Sequence, residues 1–247
     1  MKSKPVARRK PSPTPLKKKT PPASPARRIF VVDDHPMMRE SMCRLIDGEP
    51  GMACCGGAKS AEEAIDAIAR GQPELVVTDI TLPGRSGFDL IKDIKAMFPT
   101  VLVVAYSMHD EMFYAERALR AGARGYLMKE AGSEKMLEMI RRVLAGEISV
   151  SPQIAGKILD IFSGKPSRAS GSPVEKLTDR EFDVYQCIGE GKSTREIAGR
   201  LHLSVKTVAV HREHIKEKLG LSSATDLAYH AIRWITARPA DRQPGAG

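Results

Sequence analysis

Asp33 and Asp34 follow the apolar run 29–32, and Asp79 follows the run 75–78. Three carboxylates brought together would repel one another and raise their own pKa values. A hard divalent cation relieves that repulsion, and an all-oxygen donor set with room for water suits Mg2+. One carboxylate could then act as nucleophile toward a phosphoryl group. Ser107 and Lys129 also lie just beyond apolar runs, 101–105 and 125–128. A hydroxyl and an ammonium at the same edge could bind the oxygens of an acyl phosphate. Any single loop aspartate reads equally well as a helix cap or turn residue. Five suitable residue types, each at its own strand end, read as a site. His35 and His109 flank it and read as solvated loop histidines. Met37, Met38 and Met42 read as packing residues.

These side chains converge only if the apolar runs are neighbouring strands. Residues 29–32, 52–56, 75–78, 101–105 and 125–128 read as strands, and 37–46, 61–69, 88–98, 111–121 and 134–145 as helices. Ser60 with Glu63 makes a capping-box pattern, and Ser133 is expected to cap the fifth helix. Five strand–helix units in succession predict a doubly wound α/β domain, a five-stranded parallel sheet covered on both faces with right-handed crossovers. Such a sheet binds ligands at the carboxyl ends of its strands, and its first and third strands are neighbours at the switch point. That rule brings Asp33 and Asp34 to Asp79.

Residues 151–163 allow one short helix, and 164–173 (GKPSRASGSP) has the composition of a flexible linker. Four helices follow, at 179–189, 194–201, 205–219 and 224–237, an all-α domain. Thr178/Glu181, Ser193/Glu196 and Ser223/Asp226 are capping boxes; Ser204 caps the third helix of this group and Gly220 stops it. Helices 194–201 and 205–219, joined by a short turn, make a helix–turn–helix. On the longer one, Val208, His211, Ile215 and Leu219 form the core stripe, so His211 is a packed histidine. The opposite face carries Lys206, Ala209, Val210, Glu213 and Glu217, flanked by Arg212, His214 and Lys216, a helix suited to the major groove of double-stranded DNA.

At 247 residues the chain is long enough for two modest domains. Its net charge of +9 is uneven. Residues 1–28 carry ten Lys/Arg, no Asp/Glu and seven prolines, a composition that favours disorder. Residues 29–150 carry 14 basic and 19 acidic side chains, and 176–238 carry 11 and 8. No apolar run is long enough to span a membrane, and the tail lacks the apolar stretch of a secretory signal. Cys43, Cys54, Cys55 and Cys187 follow no metal spacing. With Cys54 and Cys55 adjacent, neither a disulfide framework nor a zinc site is expected, and a reducing cytoplasm fits best. The organisation expected is a basic tail (1–27), an α/β domain (28–150), a linker (151–175), a helical domain (176–238) and a C-terminal tail (239–247).

The stretches VVDDHP (31–36), VVTDITLPGRSG (76–87), AYSMHDE (105–111) and GARGYLMKEA (122–131) resemble the receiver domain of bacterial two-component response regulators, a flavodoxin-like fold. Residues 177–221 resemble the LuxR-type DNA-binding domain, and the combination resembles the NarL/FixJ class. The resemblance implies that Asp79 is phosphorylated by a sensor histidine kinase. Asp33, Asp34, Asp79 and the Thr81 main-chain carbonyl would hold Mg2+, with Ser107 as switch hydroxyl, Tyr126 as switch aromatic and Lys129 as phosphate partner. Many receivers have proline after that lysine; here Glu130 follows. Ala209, Val210 and Glu213 would face bases, and Thr194, Lys206, Thr207 and Arg212 would contact phosphates. Some relatives carry lysines where Ala209 and Glu213 stand, which bears on the operator sequence.

The implied function is a phosphorylation-dependent transcription regulator, homodimeric when active and not an enzyme. Its unmodified receiver is expected to mask the recognition helix. Two rivals are an aspartyl-nucleophile phosphohydrolase of the haloacid dehalogenase type and a non-specific architectural DNA binder driven by the tail. The first needs a DxD pattern, yet Ile80 and Thr81 follow Asp79. The second predicts that sequence preference vanishes with the tail.

Overall fold

The computed structural model describes residues 26–163 and 173–236. Most of the basic tail, the linker 164–172 and the C-terminal tail lie outside the described residues. The first domain alternates β1 (Arg27–Val32), α1 (Pro36–Asp47), β2 (Met52–Ala58), α2 (Ala61–Gly71), β3 (Leu75–Thr78), α3 (Gly87–Met97), β4 (Leu102–Ser107), α4 (Glu111–Ala121), β5 (Gly125–Met128) and α5 (Ser133–Leu144). All pairings are parallel, in the order β2-β1-β3-β4-β5. Strand β1 starts at Arg27, whose side chain pairs with Glu74, so the sheet reaches one residue into the segment assigned to the tail.

Both sheet faces are covered, which is why the strands read as unbroken apolar runs rather than alternating ones. Successive residues of β1 divide between the two layers. Phe30 and Val32 pack with α2, α3 and α4, while Ile29 and Val31 pack with Met42 and Ile46 of α1 and Ile140 and Val143 of α5. Most helix ends follow their local signals, since a cap needs only a side chain and the next few backbone amides. Ser60 accepts from the Glu63 amide, and Ser86 with Asp89 adds a capping box at α3 beyond those expected. Ser133 is a correction: it is the first residue of α5, the N-cap is Gly132 at φ +89°, and no side chain caps this end.

The cysteines bring a second correction. Cys43 on α1 and Cys54 on β2 are joined by a disulfide, with Cα atoms 5.2 Å apart. Adjacent cysteines argue against pairing only when both face the same way. The strand pleat sends Cys54 and Cys55 to opposite sheet faces, so only Cys54 meets Cys43.

Helix α6 (Pro152–Phe162) leads to α7 (Asp179–Gly189), α8 (Thr194–Arg200), α9 (Val205–Leu219) and α10 (Ala224–Thr236). The three expected capping boxes form, Ser204 caps α9, and Gly220 ends it in the left-handed region. Helix α7 is buried from Glu181 to Ile188 without a break. One side packs on α9 and α10 and the other on α4, so one apolar cluster runs from the sheet into the second domain. Among the described residues, no helix is long and apolar enough to cross a membrane.

Candidate functional site

Asp79 follows the last residue of β3 and is 6% exposed. Its Oδ1 accepts from the Ile80 amide (2.6 Å), the Thr81 amide (3.2 Å) and the Ser107 hydroxyl (2.8 Å). Its Oδ2 accepts from the Lys129 ammonium at 2.6 Å. Lys129 also reaches Asp33 Oδ2 at 2.7 Å, so one ammonium bridges the ends of β1 and β3. Parallel pairing of β1, β3, β4 and β5 in near register delivers all four side chains to one edge. Backbone crowding fixes Asp79 further. A Cβ on Gly87 would lie 2.0 Å from the Asp79 carbonyl oxygen, so only glycine fits where α3 begins.

The electrostatics call for a cation. Asp33 and Asp79 share one ammonium and Asp34 has none, which leaves two formal negative charges at a largely buried edge. His109 adds no positive charge, because burial pushes its pKa down to about 4 against the opposing pull of Asp79. Burial also works against Lys129, but Asp79 and Asp33 outweigh it and hold the ammonium above its ordinary range. Carboxylate oxygens of Asp33 and Asp34 lie close enough to share an ion, with His35 beside them. Hard oxygen donors and a two-charge deficit fit one Mg2+.

The remaining expected residues divide. Tyr126 is buried and donates its hydroxyl to the His109 carbonyl at 2.8 Å. Thr81 contributes its amide to Asp79 and shares a 2.7 Å hydrogen bond between Oγ1 and His109 Nε2. Asp34 does not meet Lys129; it pairs with His35 at 2.8 Å and with His202, from the turn between α8 and α9, at 3.1 Å. Met37 is 86% exposed, whereas Met42 is core.

His109 corrects the expectation of a solvated histidine. Its ring is buried and stacks on Tyr114 of α4 with centroids 4.3 Å apart. The Tyr114 hydroxyl donates to Asp183 Oδ1 on α7 at 2.8 Å, and burial raises Asp183 to about 6. A contiguous route thus runs from Asp79 through Thr81, His109 and Tyr114 to the second domain. Around it, Arg117 of α4 pairs with Asp179 (3.1 Å) and lies over the Phe182 ring (4.1 Å), and Lys92 reaches Asp179 at 2.7 Å. Trp234 of α10 packs on Phe113 of α4 at 4.5 Å. The fit is imperfect: Gln186 Oε1 and Arg180 Nη1 are buried without hydrogen-bond partners, and His109, Gln186 and Arg200 line a cavity of about 200 Å³. Gln186 is the orphaned group that borders this cavity.

Tyr114, Arg117, Asp179, Asp183 and His202 are functional candidates that sequence reasoning misses. The one signal is Asp179, Asp183 and Gln186 on a single helical stripe of α7, which reads as a solvated face.

Helix α9 meets expectation in its own packing and departs from it in its surroundings. Val208 and Ile215 are buried, and His211 is half-buried with its pKa lowered by desolvation. Lys206, Ala209, Val210, Glu213 and His214 are exposed, Thr207, Arg212 and Lys216 partly so, and Thr194 opens α8. The expectation that the receiver masks this helix is therefore corrected. The α/β domain covers α7, where the aromatic and charged groups of α4 find complementary partners, and leaves Ala209, Val210 and Glu213 of α9 exposed.

Two family models match: the response regulator receiver domain over residues 29–141, and the bacterial regulatory proteins of the luxR family over 175–231. The response regulator GacA of Pseudomonas viridiflava is 35% identical over 206 residues, 83% of this chain and 95% of the relative. The oxygen regulatory protein NreC of Staphylococcus carnosus is 29% identical over 83% of this chain and 97% of that protein. Among solved structures, a LuxR-family two-component response regulator from Aurantimonas is 35% identical with a TM-score of 0.52, over 56% of this chain and 99% of that one. The RcsB response regulator of Salmonella typhimurium shares the fold at 21% identity and a TM-score of 0.57, over 85% and 98%. With receiver pocket and helix–turn–helix in one chain, this chain belongs to the two-component response regulators of the NarL/FixJ class.

Proposed function

We propose that this chain is a phosphorylation-controlled DNA-binding regulator in which Asp79 is the phosphoacceptor and the α4–α7 joint is the switch. The continuous contact from Asp79 to Asp183 carries the reading. Oδ1 of Asp79 is held by three donors, so Oδ2 is the nucleophile. It bonds to phosphorus as the bond to the phosphohistidine nitrogen of a sensor kinase breaks, and that nitrogen keeps the electron pair. Asp33, Asp34, Asp79 and the Thr81 carbonyl would hold Mg2+, which supplies positive charge to the transferring phosphoryl oxygens. Lys129 and Ser107 are placed to donate to those oxygens after transfer.

The phosphoryl group adds about −1.5 to −2 charge at this edge. As Ser107 turns from Asp79 Oδ1 toward the new oxygens, the loop that carries His109 two residues on moves with it, and the Tyr114 ring loses its stacking platform. The hydrogen bond to Asp183 weakens, and a two-state equilibrium shifts toward release of the helical domain. Released domains pair as a homodimer and place two α9 helices on half-sites of double-stranded DNA. RcsB, which shares this fold, has been solved on promoter DNA in the presence of the phosphomimetic BeF3−.

The test is binding-site selection from random duplexes, with and without a small-molecule phosphodonor and Mg2+, on wild type and Asp79→Asn. Phosphodonor should strengthen wild-type binding and leave the variant unchanged. If Asp79→Asn binds DNA no worse than the phosphorylated wild type, the switch is wrong.

A further inference from the structure

Nothing in the proposed switch uses Cys43 or Cys54. Their Cα separation of 5.2 Å, 11 residues apart in sequence, is within the range a disulfide requires. Both are only partly buried and line a surface groove with Arg39, Glu40 and Asp47, so a small reagent can reach them. The other two cysteines are excluded. Cys55 faces the opposite layer of the sheet, and Cys187 is buried in α7, where desolvation pushes its thiol up to about 12. The fold therefore selects one pair among four cysteines. An accessible pair on a receiver is also well sited to matter. Helix α1 begins directly after Asp33, Asp34 and His35, and its Arg39 donates to the Asp33 carbonyl at 2.6 Å.

We infer that Cys43 and Cys54 form a reversible thiol–disulfide site, oxidised by a low-molecular-weight disulfide such as oxidised glutathione, which clamps α1 to the edge strand β2. One protein thiolate attacks a sulfur of the small disulfide, and the departing small thiolate takes the electron pair of the broken S–S bond. The second protein thiolate then attacks the protein sulfur of the mixed disulfide and expels the other small thiol. Two protein thiols are oxidised, one small disulfide is reduced to two thiols, and the two protons pass from the protein to them. Disulfides of this kind in a reducing compartment are switches rather than staples, because their accessible sulfurs exchange readily.

The experiment equilibrates the full-length chain with graded ratios of reduced and oxidised glutathione, traps free thiols by alkylation, and maps the peptides by mass spectrometry. Thiols 43 and 54 should disappear together into one linked peptide and return together in excess reduced glutathione. Cys55→Ser should leave that behaviour unchanged, and Cys43→Ser should leave Cys54 as a mixed disulfide only. Because the wild-type titration needs no variant, misfolding cannot hide the result. Backbone hydrogen exchange of α1 should slow by at least about tenfold on oxidation, since the bond closes a short loop. Arrest of the wild type at mixed disulfides, linkage through Cys55, failure to reopen, or unchanged α1 exchange would each overturn the proposal.

Discussion

Asp183→Asn tests the interdomain joint most directly. Asp183 is 2% exposed, accepts from Tyr114, and has Arg180 Nη1 at 3.6 Å from its other oxygen. Burial dominates and raises it from 3.8 to about 6. A raised carboxyl pKa means that docking favours the protonated form. Its contribution is complete below the unperturbed pKa and fades as pH climbs through about 6. If the released domain exposes Asp183, lowering the pH from about 7.5 to about 5 should favour docking by about 1.4 kcal/mol, roughly tenfold. Asparagine keeps the volume and an acceptor for Tyr114 but cannot titrate, so this dependence should vanish. Trp234, the single tryptophan, packs on Phe113 across the joint, and its fluorescence reports docking without a label. His202 pairs with Asp34 across the same joint, and a His202→Gln background removes that pair so that the Asp183 effect is read alone. Equal pH slopes in the wild type and Asp183→Asn, or docking that weakens on acidification, would refute the assignment of Asp183 as the buried acid of the joint.

Gly87→Ala drives a methyl into the Asp79 carbonyl. Overpacking of this kind costs about 1–3 kcal/mol, readable by chemical denaturation, and displacement of Asp79 should slow labelling by a phosphodonor as well. Deleting residues 1–25 removes eight Lys/Arg. The slope of log K against log salt should flatten by up to about 0.9 for each DNA phosphate the tail neutralises, while sequence preference stays the same. A preference that disappears with the tail would favour an architectural binder.

The strand order and the carboxylate edge were legible in advance because each depends on short-range regularities. Strands Leu75–Thr78 and Gly125–Met128 carry apolar runs, the helices between them carry caps within three or four residues, and a parallel sheet has few ways to connect them. Asp33, Asp79, Ser107 and Lys129 then meet because strand ends in register must meet. The helix–turn–helix was legible for the same reason, from Ser193, Ser204 and Gly220. Only the tertiary structure decided how the two domains touch. Asp179, Asp183 and Gln186 are polar at helical spacing, and a polar stripe reads as solvated unless the element covering it is known. Tyr114, 69 residues away, supplies that cover and changes the meaning of Asp183 from a surface charge to a buried acid. His109 and the Cys43–Cys54 pair follow the same logic, since burial and pairing belong to the packed neighbourhood rather than to the residue.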